Sequence, residues 1–119
     1  MIAEYSDREF QLWEYRVSHG SLLIRSPKGP GRSKNIDLEF VGVVYLSAPR
    51  FLRGIRLERA RGRDRRNVRR ALGDRSIDDV FVLVSNGRRH LIAAATCKVR
   101  ETDADIFDSP FVSPKLGPS

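Results

Sequence analysis

The chain has 119 residues, a length typical of one domain, and its 40% hydrophobic and 31% charged residues exclude an intrinsically disordered protein. Its formal net charge of +7 favours a negatively charged partner, and the absence of any long apolar run excludes a membrane span, so we expect no membrane partner. We predict one globular domain over residues 1–112 and a flexible C-terminal tail over residues 113–119, which is rich in proline, glycine and serine.

Three strands are predicted in the first part of the chain. Residues 9–17 alternate in polarity and carry aromatic and β-branched side chains, and after a short turn residues 22–25 return as the second strand of a hairpin. A loop over residues 26–35 is rich in proline and glycine but lacks the spacing of a phosphate-binding loop. Residues 36–45 form the third strand, and its apolar pattern changes parity at Gly42, where we predict a β-bulge.

One helix is predicted over residues 64–72. Asp64 is the expected N-cap, and Gly73 is expected to end the helix in a left-handed conformation. At 100° per residue, four arginines share one face and a small apolar stripe occupies another, so the stripe should dock on the sheet. The arginines are Arg65, Arg66, Arg69 and Arg70, and the stripe is Val68, Ala71 and Leu72.

The remaining strands complete a predicted sheet. Residues 51–57 are predicted as one strand; the alternative is a helix, which Gly54 in the middle disfavours. Residues 80–84 and 89–99 are predicted to form a hairpin around Asn86-Gly87, a dipeptide typical of a type I′ turn. We therefore predict a mainly β (α+β) fold, with an antiparallel sheet or half-barrel of five to six strands and one short arginine-rich helix. In the half-barrel, the helix would lie across one opening.

Arginines are concentrated in the segment 50–75. It holds eleven of them against Glu58, Asp64 and Asp74, which gives the segment a charge of +8, so the rest of the chain sums to −1. The high ratio of arginine to lysine is also expected from a GC-rich coding bias, but that bias does not explain the clustering. We predict that seven of these residues, termed the arginine face, bind a partner: Arg59, Arg61, Arg63, Arg65, Arg66, Arg69 and Arg70.

Acidic residues are concentrated near the C-terminus, over residues 101–108. We expect this segment to be a counterweight to the arginine face, anchored to the core by Ile106, Phe107 and Phe111. Its carboxylates lack the glycine and glutamate positions of a calcium loop, so no metal site is predicted. The pair Asp78-Asp79 is better explained as a cap at the start of a strand.

No catalytic constellation is visible, and we predict a chain that is not an enzyme and has no cofactor. His90 and Cys97 lie seven residues apart, so on a regular strand they would point to opposite faces, and His19 lies in a turn. Cys97 is the only cysteine and cannot form an internal disulfide. Together with an acidic N-terminus that is unlike a secretory signal, this favours a cytoplasmic protein.

Two segments resemble those of a known group of proteins. Residues 13–20 (Trp-Glu-Tyr-Arg-Val-Ser-His-Gly) and 22–26 (Leu-Leu-Ile-Arg-Ser) resemble the opening of small uncharacterised bacterial β-rich proteins, and residues 105–111 (Asp-Ile-Phe-Asp-Ser-Pro-Phe) resemble their close. Such proteins are similar in style to the immunity partners of bacterial toxins. The resemblance implies a β-rich binding protein, and it does not include the arginine-rich segment.

The sequence leaves three interpretations of the arginine face open. The one we favour is a non-catalytic bacterial protein-binding domain, similar to an immunity protein, whose arginine face meets an acidic protein surface. The alternative is a DNA- or RNA-binding accessory domain that uses the same face, although Phe51 is the only aromatic residue in the segment for stacking on bases. The third is a solvated basic surface without a partner.

Overall fold

The computed structural model describes residues 1–105 and 107–111, so the predicted tail over 113–119 and the predicted anchor Ile106 lie outside the described residues. In chain order, the elements are β1 (Ala3–Arg16), β2 (Ser21–Ser26), β3 (Asn35–Val41), β4 (Tyr45–Ser47), β5 (Phe51–Arg59), α1 (Gly62–Leu72), β6 (Asp79–Ser85), β7 (Arg88–Ala94) and β8 (Thr96–Thr102). The strands form one open antiparallel sheet in the order β4-β7-β6-β5-β1-β2-β3-β8. The prediction of a mainly β fold with an antiparallel sheet and one helix is confirmed.

The predicted number of five to six strands is wrong, because the described residues contain eight. Two of the six predicted segments are each broken once: β3 ends at Val41 before β4 begins, and β7 ends at Ala94 before β8 begins. Hydrogen bonds from Ala95 N to Val41 O and from Val44 N to Ala93 O, both 2.9 Å, continue the pairing across the breaks. The predicted change of parity at Gly42 is therefore a break between two strands, where the chain bends and the sheet curls.

The core lies on one face of the curled sheet. Alternate residues of each strand point to this face, as the period of two in a strand requires, and all eight strands contribute buried or partly buried side chains. The buried members are Phe10, Leu22, Ile24, Ile36, Leu38, Phe40, Val43, Leu52, Ile55, Leu57, Phe81, Leu83, Ile92 and Ala94. Burying this apolar surface is the main favourable contribution to the stability of the sheet.

The hairpin of β6 and β7 forms as predicted. Asn86 has a φ of 52° and Gly87 a φ of 74°, so both central residues have the positive φ of a type I′ turn. Ser85 pairs with Arg88 directly beside this turn, and the register continues to Asp79 and Ala94. This register places Val80 and Val82 on the outer face of the sheet.

Helix α1 packs on that outer face and does not lie across an opening of the sheet. Val68 is fully buried and Leu72 partly buried against a second cluster, which includes Val80, Val82, Leu91 and Ala93. The predicted stripe is correct for Val68 and Leu72, whereas Ala71 is exposed. The helix begins at Gly62, two residues before the predicted start, with Arg61 as its N-cap. Gly73 follows the helix with a φ of 66° and a ψ of −123°, so its φ is positive but the predicted left-handed conformation is not formed.

A buried ion pair lies on the outer face of β2 and β3. Arg25, which is 1% exposed, donates from Nε to Asp37 Oδ1 at 2.7 Å and from Nη2 to Asp37 Oδ2 at 3.0 Å. Its guanidinium lies 5.5 Å from the ring centroid of Trp13, and its Nη1 donates to Asp108 O at 3.0 Å. Ser109 Oγ also donates to a carboxylate oxygen of Glu14. The two segments that carry the sequence resemblance are therefore in contact.

Gly54 gives a direct test of how closely β5 packs on β1. Its φ is +69°, and a Cβ atom there would lie 2.8 Å from the backbone oxygen of Ser6. We expect Gly54→Ala to lower the free energy of unfolding by about 2–3 kcal/mol, about 1 from the positive φ and the rest from the clash. Gly31→Ala is the matched control, because Gly31 has a φ of +77° and no atom within 4 Å of its added Cβ. Urea denaturation measures both losses, and equal losses would contradict the close approach.

Candidate arginine-rich binding surface

The arginine face spans the end of β5, the residue before α1 and α1 itself. Six of its members are exposed, and Arg65 is half-buried. Four of them line a cleft of about 330 Å³ over Ile77, termed the Ile77 cleft: Arg65, Arg66, Arg69 and Arg70. Three of them line a second cleft of about 260 Å³ at the start of the helix, together with Asp64 and Arg89: Arg61, Arg63 and Arg66. Because Arg66 lines both clefts, they adjoin and form one basic surface.

Asp79 neutralises one end of this surface. Its Oδ2 accepts from Arg59 Nη1 at 2.6 Å, and its Oδ1 lies 3.8 Å from Arg65 Nη1. Asp79 Oδ1 also accepts the backbone N–H of Val80 at 2.9 Å, which is the predicted capping role at the start of β6. The guanidinium of Arg59 also lies over the ring of Phe81, 5.6 Å from its centroid. The charge of Arg59 is therefore paired within the fold, although 67% of its side chain is exposed.

The guanidinium groups of the other five members form no ion pair within 4.0 Å with a carboxylate of residues 1–105 and 107–111. They are Arg61, Arg63, Arg66, Arg69 and Arg70, and all five are exposed. Arg70 makes one hydrogen bond, from Nη1 to the Oδ1 of Asn67 at 3.3 Å, which leaves its charge uncompensated. Five exposed guanidinium groups without an ion pair among the described residues therefore lie around the two clefts.

A network of carboxylates fixes the start of the helix to the sheet. Asp64, which is 3% exposed, accepts from Arg89 Nη2 at 2.7 Å and from Arg89 Nε at 3.2 Å, while Arg89 Nη1 lies 3.4 Å from Glu58 Oε1. Asp64 Oδ2 also accepts the backbone N–H of Arg61 at 2.8 Å. The predicted capping residue therefore caps the helix from its third position and not as the N-cap. Arg89 was missed by sequence reasoning, because its only signal is its position beside the Asn86-Gly87 turn.

These hydrogen bonds shift the pKa values of the network in opposite directions. The hydrogen bonds from Arg89 lower the pKa of Asp64, and the hydrogen bond from Arg56 lowers the pKa of Glu58. In turn, the hydrogen bond to Asp64 raises the pKa of Arg89. Glu58 and Asp64 are thus used within the fold, and the guanidiniums of the two clefts are left for other contacts.

The acidic segment does not neutralise the arginine face, so this expectation is wrong for the described residues. Asp103 lies against the loop after β2, where its backbone oxygen accepts from Lys28 Nζ at 2.7 Å and its Oδ2 lies 4.0 Å from Lys34 Nζ. Asp108 contacts Arg25 through its backbone oxygen. Phe107, an expected anchor, is 82% exposed, whereas Phe111 is half-buried.

Burial shifts the pKa values of two other side chains that can take part in chemistry. Burial raises the pKa of the Cys97 thiol to about 12, so it is protonated at neutral pH and a poor nucleophile. Burial also lowers the pKa of His90, which favours its neutral form. Within residues 1–105 and 107–111, no three histidine, cysteine or carboxylate side chains are grouped so that they could hold a metal ion. No helix in this part of the chain is long and apolar enough to cross a membrane.

Comparisons with known proteins assign neither a family nor a function to this chain. No protein-family model matches the chain, and neither curated proteins nor solved structures give a match. The resemblance of residues 13–26 and 105–111 to immunity partners of toxins stays a prediction. A function for the arginine face has to be argued from the positions and charges of its own residues.

Proposed function

We propose that this chain is a non-catalytic protein-binding domain whose arginine face docks on an acidic surface of its partner, as an immunity-like protein would. One observation carries the proposal: five exposed guanidiniums line two adjoining clefts and form no ion pair within 4.0 Å with a carboxylate of the described residues, because Asp64 in the second cleft is engaged by Arg89. Guanidinium is a planar donor that can form two parallel hydrogen bonds to one carboxylate. A partner with carboxylates at matching positions would complete these contacts.

The distribution of charge also supports fast association with such a partner. The positive potential is concentrated on one helix and the residues before it, while the two carboxylates nearest to the second cleft, Asp64 and Glu58, are engaged with Arg89 and Arg56. A concentrated field of this kind steers an oppositely charged surface during encounter and fixes its orientation. Because exposed charges are screened by salt, the association rate should fall as ionic strength rises.

Nucleic acid is the competing partner for the same surface, and the composition of the clefts favours a protein instead. Proteins that bind single strands combine a basic groove with aromatic side chains that stack on bases. Neither cleft is lined by an aromatic side chain in the described residues. Phe51 is 53% exposed, but it lines neither cleft. Its ring is in contact with the guanidinium of Arg50, which lies 5.0 Å from the ring centroid.

A pair of double variants tests the proposal. Arg66→Glu with Arg69→Glu is expected to weaken binding of polyglutamate by at least about tenfold, because both residues line the Ile77 cleft without a carboxylate partner. Arg50→Glu with Arg75→Glu is the matched control, since it changes the net charge equally at exposed arginines outside both clefts. Fluorescence anisotropy across a salt series measures the binding, and circular dichroism confirms that each variant is folded.

The control and a nucleic-acid probe make the outcome decisive. We expect the control variant to bind polyglutamate within about threefold of the unmodified protein. We also expect a random duplex of about twenty base pairs to bind weakly, with a shallow dependence on salt. Equal losses in the two double variants would show that only net charge matters. Tight duplex binding that Arg66→Glu with Arg69→Glu abolishes would replace the proposal with the nucleic-acid function.

A further inference from the structure

We infer that the partner contributes an acidic, amphipathic segment, and that one apolar side chain of this segment inserts into the Ile77 cleft while flanking carboxylates meet the arginines. The inference rests on the proposed function and adds the chemistry of the contacting segment. It comes from the cleft itself, which combines an apolar floor with a rim of guanidiniums.

The floor of the cleft is Ile77, in the connection between α1 and β6. It is half-buried and packs beside the cluster formed by Val68, Val80 and Val82, so its remaining exposed surface faces the cleft. The walls are the side chains of four arginines, whose aliphatic stems are apolar even where their guanidiniums are solvated. The cleft therefore offers apolar contact in the middle and charge only at its edge.

The rim of the cleft is suited to carboxylates. Among the described residues, Arg66 and Arg69 have no carboxylate within 4.0 Å, and Arg70 bonds only to the neutral amide of Asn67. Arg65 lies 3.8 Å from Asp79 and closes one side of the rim. Three guanidiniums without an ion pair beside one apolar floor match an occupant that carries negative charge next to an apolar group.

The two parts of the cleft together distinguish the possible occupants. A phosphate backbone or a purely anionic peptide would contact the guanidiniums and leave the apolar floor in contact with water. An apolar side chain between carboxylates also removes the floor and the arginine stems from water, and this adds a contribution that salt does not screen. Central apolar anchors surrounded by polar contacts are the usual source of binding energy in protein interfaces.

Two peptides of equal length and equal negative charge test the inference. Both are rich in glutamate; one carries leucines at helical spacing, and the other carries glutamines at the same positions. We expect the leucine peptide to bind at least about tenfold more tightly, and its advantage to persist when the salt concentration is raised from about 0.15 M to about 1 M. Fluorescence anisotropy of the labelled peptides measures both affinities.

A variant of the floor shows where the leucine binds. Ile77→Ser is expected to remove the preference for the leucine peptide and to leave the affinity of the glutamine peptide unchanged, because the rim is intact. Val17→Ser is the matched control at a valine that is 79% exposed and distant in sequence from the cleft, and it should change neither affinity. If Ile77→Ser does not fold, methyl NMR of the unmodified protein replaces it, and the Ile77 methyl signals should shift with the leucine peptide alone.

The outcomes separate this inference from the proposed function. If both peptides bind equally and the Ile77 signals shift with neither, the segment is not anchored in the cleft, although binding of an acidic surface stands. If neither peptide binds and a random duplex does, both proposals are overturned. A leucine preference that Ile77→Ser leaves unchanged places the anchor elsewhere and overturns the inference alone.

Discussion

Replacing Arg25 with alanine is expected to lower the free energy of unfolding by about 3–5 kcal/mol, because Asp37 is left as a buried carboxylate without its cation. The Asp37 side chain is 2% exposed, and both of its oxygens accept from Arg25. The substitution also removes the contact of the guanidinium with Trp13 and the hydrogen bond to Asp108 O. For a domain whose total stability is of order 5–15 kcal/mol, such a loss leaves a large unfolded fraction at mild denaturant concentrations.

A double variant distinguishes the buried charge from the lost packing. Arg25→Met with Asp37→Leu removes both charges and keeps apolar volume, so it is expected to recover most of the stability, since buried ion pairs can often be replaced by apolar residues at little cost. Urea denaturation gives the free energies, and the unchanged slope of the transition shows that the same surface unfolds. A single variant that loses less than about 1 kcal/mol would mean that water or other groups solvate Asp37.

The parts of the fold that follow local rules could be predicted from the sequence. The Asn86-Gly87 turn needs two positive φ values, and this dipeptide is among the few that supply them, so the β6–β7 hairpin and its turn were identified. The helix was identified from the same kind of local pattern, and its four predicted arginines do line one cleft. The number of strands was wrong because the breaks after Val41 and Ala94 depend on how two distant segments pair.

The parts that depend on long-range contacts could not be predicted. Arg25 follows three apolar residues and looks like the polar end of a strand, yet it is buried by Trp13 and by a residue 83 positions away, Asp108. The acidic segment was expected to meet the arginine face, because opposite charges attract, but its contacts with Lys28 and Lys34 place it against the loop between β2 and β3. Ile77 has no pattern of its own, and only the packing of α1 on β6 turns it into the floor of a cleft.

The arrangement of carboxylates explains why the arginine face can be both ordered and uncompensated. The carboxylates near it point inward: Asp64 and Glu58 meet Arg89, and Asp79 meets Arg59. These contacts fix the two ends of the helix region to the sheet, and the other guanidiniums remain in solvent. The position of helix α1 on the sheet therefore depends on Asp64, the carboxylate that contacts both the start of the helix and Arg89 of β7.

Replacing Asp64 with alanine is expected to destabilise the protein by about 2–4 kcal/mol, about 1 from the lost cap and the rest from the charged hydrogen bonds with Arg89. Because Val68 is the only apolar residue of α1 that is fully buried, the helix should lose hydrogen-exchange protection before the sheet does. Asp74→Ala is the matched control, since Asp74 is exposed after the end of the helix. Uniform loss of protection in the helix and the sheet would contradict a local role for Asp64.

The pH dependence of stability tests the charge of Asp64 separately, with Asp64→Asn. The hydrogen bonds from Arg89 lower the pKa of Asp64 in the folded state, so its stabilising contribution is complete above the unfolded value of about 3.9 and is lost as the pH falls through the lower folded value. Between these two values the unfolded state binds more protons, and stability therefore rises with pH. Urea denaturation below about pH 4 should show a shallower dependence on pH in Asp64→Asn than in the unmodified protein, whereas Asp74→Asn should keep the steeper one. If Asp64→Asn retains the full slope, Glu58 and other carboxylates account for the acid sensitivity, and the contact between Asp64 and Arg89 does not depend on charge.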